Sequence, residues 1–393
     1  MLHAGAGYST TLNPRTAAIE ATTNALKQAG LRVADAVLCF ASSAHGAAYP
    51  LLLRTVAETA GTREIAGCGS IGVIAGGHEI ESGPSVAVLV ISGASIKGSR
   101  LFVPSIRGRG REVAAEIAAL VRPKLGASNL LCLFPDTYNL EPDPLLAGLA
   151  RELPGVTVVG GGATEDGSVG ETFQFCGDVV SSNAVAGMLL AGDFDINTGA
   201  ALACAPLGGA HQITALRDNI ILELDGRRAF DVFAEAAGPL ANDLQRAVAF
   251  VFVGIPVEEG ARKIERGSFF VRNIMGVSSD HGAIAVAYRP KLGDTIGFVL
   301  RNGERSRDEL KATLAAMQDR VRNPPAFGLY FDCVSRGSGL YDIPGHDSAY
   351  IGQFLGQVPI AGFFTGFEIG PLGSGTGLLQ YCGVLALVSE KSP

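Results

Sequence analysis

Short apolar runs separated by helix-length segments set the rhythm of this chain. Asn13 to Ala29 carries apolar residues at helical spacing, with Asn13 placed to cap it, Pro14 at its first position and Gly30 to close it. Residues 36–41 (AVLCFA) form a continuous apolar run fit for a buried strand, and a helix follows around 48–60. Residues 64–74 (EIAGCGSIGVI) and 84–91 (PSVAVLVI) then predict two strands joined by the turn-rich GGHEIESG.

That order returns. A strand at 129–134 (NLLCLF), a helix near 143–152, TVVGGGA at 157–163 and a strand at 184–191 form a second copy. AFGLYFDC (326–333) opens a third, with a helix near 347–355, then PIAGFFTGFEIGP (359–371) and LLQYCGVLALV (378–388). The strands after each helix share a local pattern: IAGC at 65–68, VVGG at 158–161, IAGF at 360–363. A partial fourth copy is predicted from 247–255 through 269–277 to 283–288. Self-similar units of this length imply repeated β-α-β-β modules rather than a thin solenoid. The expectation is an α/β (α+β) fold of two pseudo-symmetric halves, with mixed sheets covered by helices. GDFDINTG breaks the pattern, so the divide is placed near Asp193–Thr198, giving domains 1–195 and 196–393.

Composition narrows the function classes. Of 393 residues, 47% are hydrophobic and 18% charged, which predicts a chain folded throughout. Its 52 glycines are about twice the usual share, without a collagen period, and call for many tight turns and close backbone approaches. A net charge of −7 argues against nucleic acid as a partner. The basic cluster Arg107, Arg109 and Arg111 is short and glycine-spaced, and reads as a solvated loop. No apolar run approaches the ~18–20 residues that span a bilayer, and the first residues lack a secretory signal pattern. The seven cysteines form no CxxC pair and sit mostly in apolar runs, the usage of reduced, buried thiols. A soluble cytoplasmic protein without membrane insertion is expected.

The sequence lacks GxxxxGK[ST], GxSxG, HExxH and any helical His pair, so no dedicated metal site is expected. Polar residues gather instead in the last hundred positions. FDCVSRGSGL (331–340) leaves a strand and enters a glycine-bearing loop, where open α/β sheets collect ligands. Arg336 and the backbone of Gly337–Gly339 are candidates for an anion clamp; the alternative is a surface arginine on a turn. Cys333 is either a buried structural cysteine or a thiol activated by Arg336 or His346. Asp347 suits a helix N-cap, and His346 a polar site group or an axial ligand. Glu368, inside GFFTGFEIGP, needs a partner, and Arg272 or Arg336 is the economical choice. Glu79 in HEIESGP is read as its echo in the first unit. Phe363 and Phe364 offer apolar wall, but on one strand only one of them can face a given pocket.

These segments together resemble the FIST domain family. The resemblance rests on IAGCGSIGVI with HEIESGP (65–84), NIILELDGRRAFDVF (219–233), FFVRNIMGV (269–277), FDCVSRGSGLYDIPGHDS (331–348) and VPIAGFFTGFEIGPLG (358–373). It implies an N-terminal and a C-terminal FIST domain, and an intracellular sensory protein for a small ligand, with amino acids suggested. Family positions carry over to Arg272, Asn273, Cys333, Arg336, Gly337, His346, Asp347, Gly362, Glu368 and Gly370. The chain departs from the family pattern with Asp332 before the cysteine and with Ala205-Pro206-Leu207-Gly208 after the divide.

The leading expectation is a ligand-binding sensor that signals to a separate protein. Its ligand residues would be Arg272, Asn273, Cys333, Arg336, Gly337, Gly339, His346, Asp347, Phe364 and Glu368, with no cofactor. Three alternatives stand beside it: a haem-binding gas sensor with His346 as ligand, an enzyme built on Cys333, His346 and Asp347, and a protein-recruiting scaffold.

Overall fold

The computed structural model describes residues 1–258, 260–265 and 268–391. In chain order the first module is β1 (Leu2–Ser9), α1 (Pro14–Ala29), β2 (Ala36–Ser42), α2 (Tyr49–Ala60), β3 (Ile65–Ser70), the hairpin β4 (Val73–Ala75) and β5 (His78–Ile80), and β6 (Val86–Gly93). The second is β7 (Ile96–Pro104), α3 (Gly110–Val121), β8 (Ser128–Pro135), α4 (Pro142–Glu152), β9 (Thr157–Gly161), the hairpin β10 (Gln174–Cys176) and β11 (Val179–Ser181), and β12 (Ala184–Gly192). A third opens with β13 (Phe194–Leu202) and is then interrupted.

The interruption is a compact unit of its own, Leu202–Glu309 with Leu379–Tyr381. It holds β14 (Cys204–Arg217), β15 (Ile220–Leu224), β16 (Arg227–Arg228), α5 (Ala229–Ala237), α6 (Leu244–Phe250), β17 (Val251–Pro256), β18 (Phe269–Arg272), β19 (Ile274–Ser278), β20 (Ala283–Val286) and β21 (Thr295–Arg301). These strands form one sheet, antiparallel at each pairing among the described residues, and Val232, Phe233 and Ala247 of its helices share a core with Ile213, Ile221 and Phe298. The fourth copy expected over 247–288 is therefore not a copy. Residues 247–250 are helical, and the pairings of β17–β20 among the described residues are antiparallel.

The third module resumes with α7 (Gly303–Arg320), β22 (Pro325–Cys333), α8 (Ser338–Tyr341), α9 (His346–Leu355), β23 (Ile360–Thr365), the hairpin β24 (Glu368–Leu372) and β25 (Gly375–Leu379), and β26 (Cys382–Glu390). Its residues 310–378 and those from Cys382 on make up the other compact unit with residues 1–201. The fold class is the expected mixed α/β.

This larger unit contains three six-stranded sheets with one strand order: β1-β6-β2-β3-β10-β11, β7-β12-β8-β9-β24-β25 and β13-β26-β22-β23-β4-β5. In each, the third and fourth strands of that order run parallel around a helix, and the second pairs antiparallel with the third. The hairpins are exchanged. The first module's hairpin completes the third sheet, the second's completes the first, and the third's completes the second. For this reason 64–74 and 359–371 are not single strands. Each breaks at a bend and continues in a different sheet.

Local chemistry explains the elements. Asn13 Oδ1 accepts from the Thr16 amide at 3.0 Å, and Gly30 closes α1 with φ 67°. The recurring glycine answers a close approach. A Cβ on Gly67, Gly160 or Gly362 would lie 1.7, 1.9 or 1.6 Å from the carbonyl oxygen of Cys39, Leu133 or Tyr330 on the parallel neighbour. Gly362→Ala should therefore cost several kcal/mol or prevent folding, read as loss of soluble protein or a collapse of the thermal midpoint. One residue later, Phe40, Phe134 and Phe331 project from the three central strands. They meet with ring centroids 5.2 and 6.1 Å apart, and Phe363 fills in at 4.8 Å from Phe40 and 5.7 Å from Phe331. All seven cysteines are buried, and none forms a disulfide.

Candidate functional site

Strand alternation sorts the predicted site residues onto two faces of β22–β23. Phe331, Cys333, Phe363 and Thr365 face the shared phenylalanine core side. Tyr330, Asp332 and Phe364 face α9, where Phe364 packs with Ile74 and Ile351. Phe364, not Phe363, therefore lies on the side of the polar loop.

Beyond β22 the chain turns through Arg336 into α8 and α9. Arg336 is fully buried, against the alternative of a surface arginine. Its Nε lies 2.7 Å from Asp332 Oδ1, and its Nη2 donates to Asp347 Oδ2 at 2.6 Å and to the Tyr341 hydroxyl at 2.8 Å. Nη1 donates to the carbonyl of Ala201 at 3.1 Å. Tyr330 donates to Asp347 at 2.6 Å, and His346 Nδ1 sits 3.0 Å from Asp347 Oδ1. The His346 ring stacks on Tyr341 at 3.7 Å and leans on Tyr350 at 4.8 Å. A porphyrin needs open space beside its axial ligand. His346 is covered by rings instead, so its setting does not fit haem ligation.

The backbone clamp is filled as well, by the protein's own carboxylates. Both oxygens of Glu81 receive the Ser338 amide, at 2.9 and 3.0 Å, and Oε2 also accepts the Ser338 hydroxyl at 2.6 Å. A Cβ on Gly337 (φ 60°) would press within 2.9 Å of that carboxylate, whereas Gly339 has open space around it. Glu79 Oε1 accepts the Ser348 amide at 2.5 Å, in the first turn of α9. Carboxylates at helix N-termini are favoured by the free amides and the dipole. The hairpin of the first module thus caps the loop of the third. Counting from the shared Ile-Ala-Gly, Glu368 corresponds to Val73, so Glu79 is not its echo. It lies on the returning strand of the hairpin.

Glu368 is fully buried and is not solved by the expected arginine alone. Oε1 shares a 2.6 Å hydrogen bond with the Thr365 hydroxyl, which also reaches the Asp332 carbonyl at 3.1 Å; Oε2 accepts the Cys382 amide at 3.2 Å. One hydroxyl proton cannot serve both acceptors. A protonated Glu368 resolves this by donating to Thr365, which donates onward. Burial pushes Glu368 up to about 8, against hydrogen bonds from Thr365, Cys382 and Cys333. Cys333 also lies 3.0 Å from the Ser335 hydroxyl. Burial and the Asp347 charge likewise raise Asp332 well above the carboxylate range. For Asp347, burial raises the value, but the Arg336 charge and hydrogen bonds from His346, Tyr330 and Arg336 hold it well below that range. Glu79 is pushed up to about 7 by burial and the nearby Asp347, against its bonds to Ser348. Two oxygens here are enclosed without a hydrogen-bond partner, Asp332 Oδ2 and Glu79 Oε2.

Arg272 and Asn273 belong to the smaller unit. Arg272 donates to the Val271 carbonyl and lies 4.7 Å over the Phe270 ring, while Asn273 Oδ1 accepts from Tyr381 at 2.6 Å. Gly370 stands against Val384 on β26. Tyr330, Tyr341, Thr365 and Glu81 did not stand out in the sequence. Alternation from Asp332 would have found Tyr330, and the position of Glu81 one module away carries no local signal.

The smaller unit has a shallow hollow of about 730 Å³ bordered by Asp218, Asn219, Met275 and Tyr288. In the larger unit a cavity of about 140 Å³ lies between α9 and the β4–β5 turn, lined by Gly76, Gly77, Ser348 and Gly352 among others. Among the described residues no group of three or more His, Cys, Asp or Glu is placed to hold a metal ion, and no helix is long and apolar enough to cross a membrane.

Relatives in two mycobacteria match this chain over nearly its whole length. An uncharacterized protein of Mycobacterium tuberculosis is 31% identical over 386 residues, 98% of each chain. An uncharacterized protein of Mycobacterium bovis is 28% identical over 385 residues, again 98% of each. A crystal structure of a cyanuric acid hydrolase from A. caulinodans aligns over 48% of this chain and 70% of its own at 10% identity and a TM-score of 0.28, too slight a likeness to bear on function. The FIST N domain model matches residues 35–227 and the FIST C domain model residues 229–371. FIST domains are generally sensory, small-ligand-binding domains of signal transduction. The chain belongs to the FIST family, with both domains in a single protein.

Proposed function

We propose that this FIST protein senses a small ligand carrying a cationic group, such as the ammonium of an amino acid, and passes the signal to a separate protein. The observation that carries this reading is the pair of enclosed, unpartnered carboxyl oxygens, Asp332 Oδ2 and Glu79 Oε2. Burial raises both carboxyls, and the positive charge beside Asp332, that of Arg336, is shared with Asp347. A ligand cation would restore their ionisation and complete their hydrogen bonds. The nearest cavity borders Ser348, whose amide Glu79 accepts. At about 140 Å³ it suits a ligand of few heavy atoms, well below the usual ~300–1,000 Å³ of larger ligand sites.

A thermal-shift panel tests this. It pairs amino acids with their deaminated counterparts, on wild type and Glu79→Gln. A ligand at about 100 times its Kd adds ~2.7 kcal/mol to stability. The expected result is a shift of several degrees with an amino acid, little with its deaminated partner, and a loss of the shift in Glu79→Gln. Equal shifts in wild type and variant, or none across the panel, would overturn the assignment.

A further inference from the structure

The three sheets share one strand order but are not equally closed. In the first, β10 pairs with β3 at Cys68, Gly67 and Ala66, and the Gly177 amide extends the ladder to the Ile65 carbonyl at 2.8 Å. In the third, β4 pairs with β23 at Phe363, Gly362 and Ala361, and the Gly76 amide reaches the Ile360 carbonyl at 3.4 Å. In the second, β24 pairs with β9 only at Gly161 and Gly160. The register places Pro371 where the other sheets have Gly177 and Gly76. Proline has no amide hydrogen, so the bond that would reach Val158 cannot form.

Beyond that point the β24–β25 hairpin leaves β9, and a cleft of about 560 Å³ opens. One wall is the outer edge of Thr157–Val159, the other is Pro371 and residues 373–376, and the last turns of α4 line it with Leu149 and Leu153. Ile65 and Ile360 turn their carbonyls to the hairpin side, and the equivalent Val158 turns its own to the cleft. None of the lining side chains is charged. A strand edge that β24 leaves unpaired, beside a cleft with uncharged walls, is matched by a backbone with the same donor and acceptor spacing and no charge to bury.

We propose that this cleft binds an extended, uncharged peptide segment of a partner protein, added as a strand to β9 between β9 and the β24–β25 hairpin. The edge from Thr157 to Val159 is ~10 Å long and takes about three residues. Main-chain hydrogen bonds to Val158 supply affinity, and small or apolar side chains fit against Leu149, Leu153 and Thr376. This inference does not rest on the cationic-ligand site. The thermal panel can fail while this stands, and the reverse.

The test pans a phage-displayed library of random heptapeptides on the full-length protein, then measures synthetic copies of the selected peptides by fluorescence polarisation. Each is compared with a copy N-methylated at its central residue, on wild type, Gly375→Trp and Pro371→Ala. A Cβ at Gly375 meets open space, so the tryptophan fills the cleft without an initial clash. Pro371→Ala returns the amide that closes the ladder in the other two sheets. The expected result is at least tenfold weaker binding by the methylated peptide and by both variants, with hydrogen exchange slowed by wild-type peptide within 155–161. Failure to enrich peptides, equal binding of the methylated copy, or protection elsewhere would each overturn the proposal. If Gly375→Trp does not fold, Pro371→Ala and the methylated peptide decide alone.

Discussion

Arg336→Met is expected to destabilise the protein by about 3–5 kcal/mol, because it removes the cation from a fully buried ion pair and leaves Asp347 uncompensated. The measurement is the urea midpoint. The substitution keeps most of the side-chain volume, so the loss reports charge rather than packing. Arg336→Met with Asp347→Asn should recover a large part of it, since the stranded charge is gone. A single variant with an unchanged midpoint would mean that the arginine does not hold the loop. It follows that Arg336→Ala is a poor probe of ligand binding. Any loss of binding would be mixed with loss of the fold around it, whereas Glu79→Gln keeps the shape and the Ser348 bond.

The second large effect is a dependence on pH. Glu368 has an ordinary value of 4.5 and is pushed up to about 8 by burial in the folded protein. The folded state therefore holds a proton that the unfolded chain has released. Between about pH 4.5 and 8 stability falls as pH rises, because the native state binds more protons across that window. Glu79, raised to about 7, acts in the same direction over a narrower range. Asp347 acts oppositely and at lower pH, since its ionised form is the one held by Arg336. The measurement is the unfolding free energy of wild type minus that of Glu368→Gln between pH 5 and 8.5. The difference should decline by a few kcal/mol as pH rises, because the glutamine keeps both hydrogen bonds and never titrates. A flat difference would mean that Glu368 is ionised throughout.

Most of the elements were legible in the sequence, and for physical reasons. Apolar runs mark strands buried on both faces, and Asn13, Pro14 and Gly30 mark the ends of α1 by their capping chemistry. The recurring glycine was visible as a pattern, though its cause, a carbonyl less than 2 Å from any Cβ, was not. What could not be read was where a strand goes after a bend. Residues 65–70 and 73–75 share one apolar run, and periodicity has the same value whether the run continues in its own sheet or joins another. The antiparallel unit between β13 and α7 was hidden in the same way, because its strands look like those of the modules. At the site, Arg336, His346 and Asp347, which the sequence singled out, touch one another. The sequence could not show that Glu81 and Asp347 had already taken the places reserved for a ligand's anion. Asp332, noted as a departure from the family pattern, is a second carboxylate against the arginine, at 2.7 Å.

The exchanged hairpins bear on how the chain can be made. Synthesis runs from the N-terminus at roughly 5–20 residues per second, so the β4–β5 hairpin emerges ~10–50 s before the strand β23 that receives it. During that interval Val73–Ala75 has no sheet, and the first sheet cannot be completed until the second module supplies β10. The late strands then close the second and third sheets together. A ribosome that stops after the N-terminal domain would release a chain with an unsatisfied hairpin and an open sheet edge, the kind of surface that chaperones bind and that aggregates grow from. The same topology predicts that the two family segments, expressed apart, meet as interlocking halves rather than as independent domains.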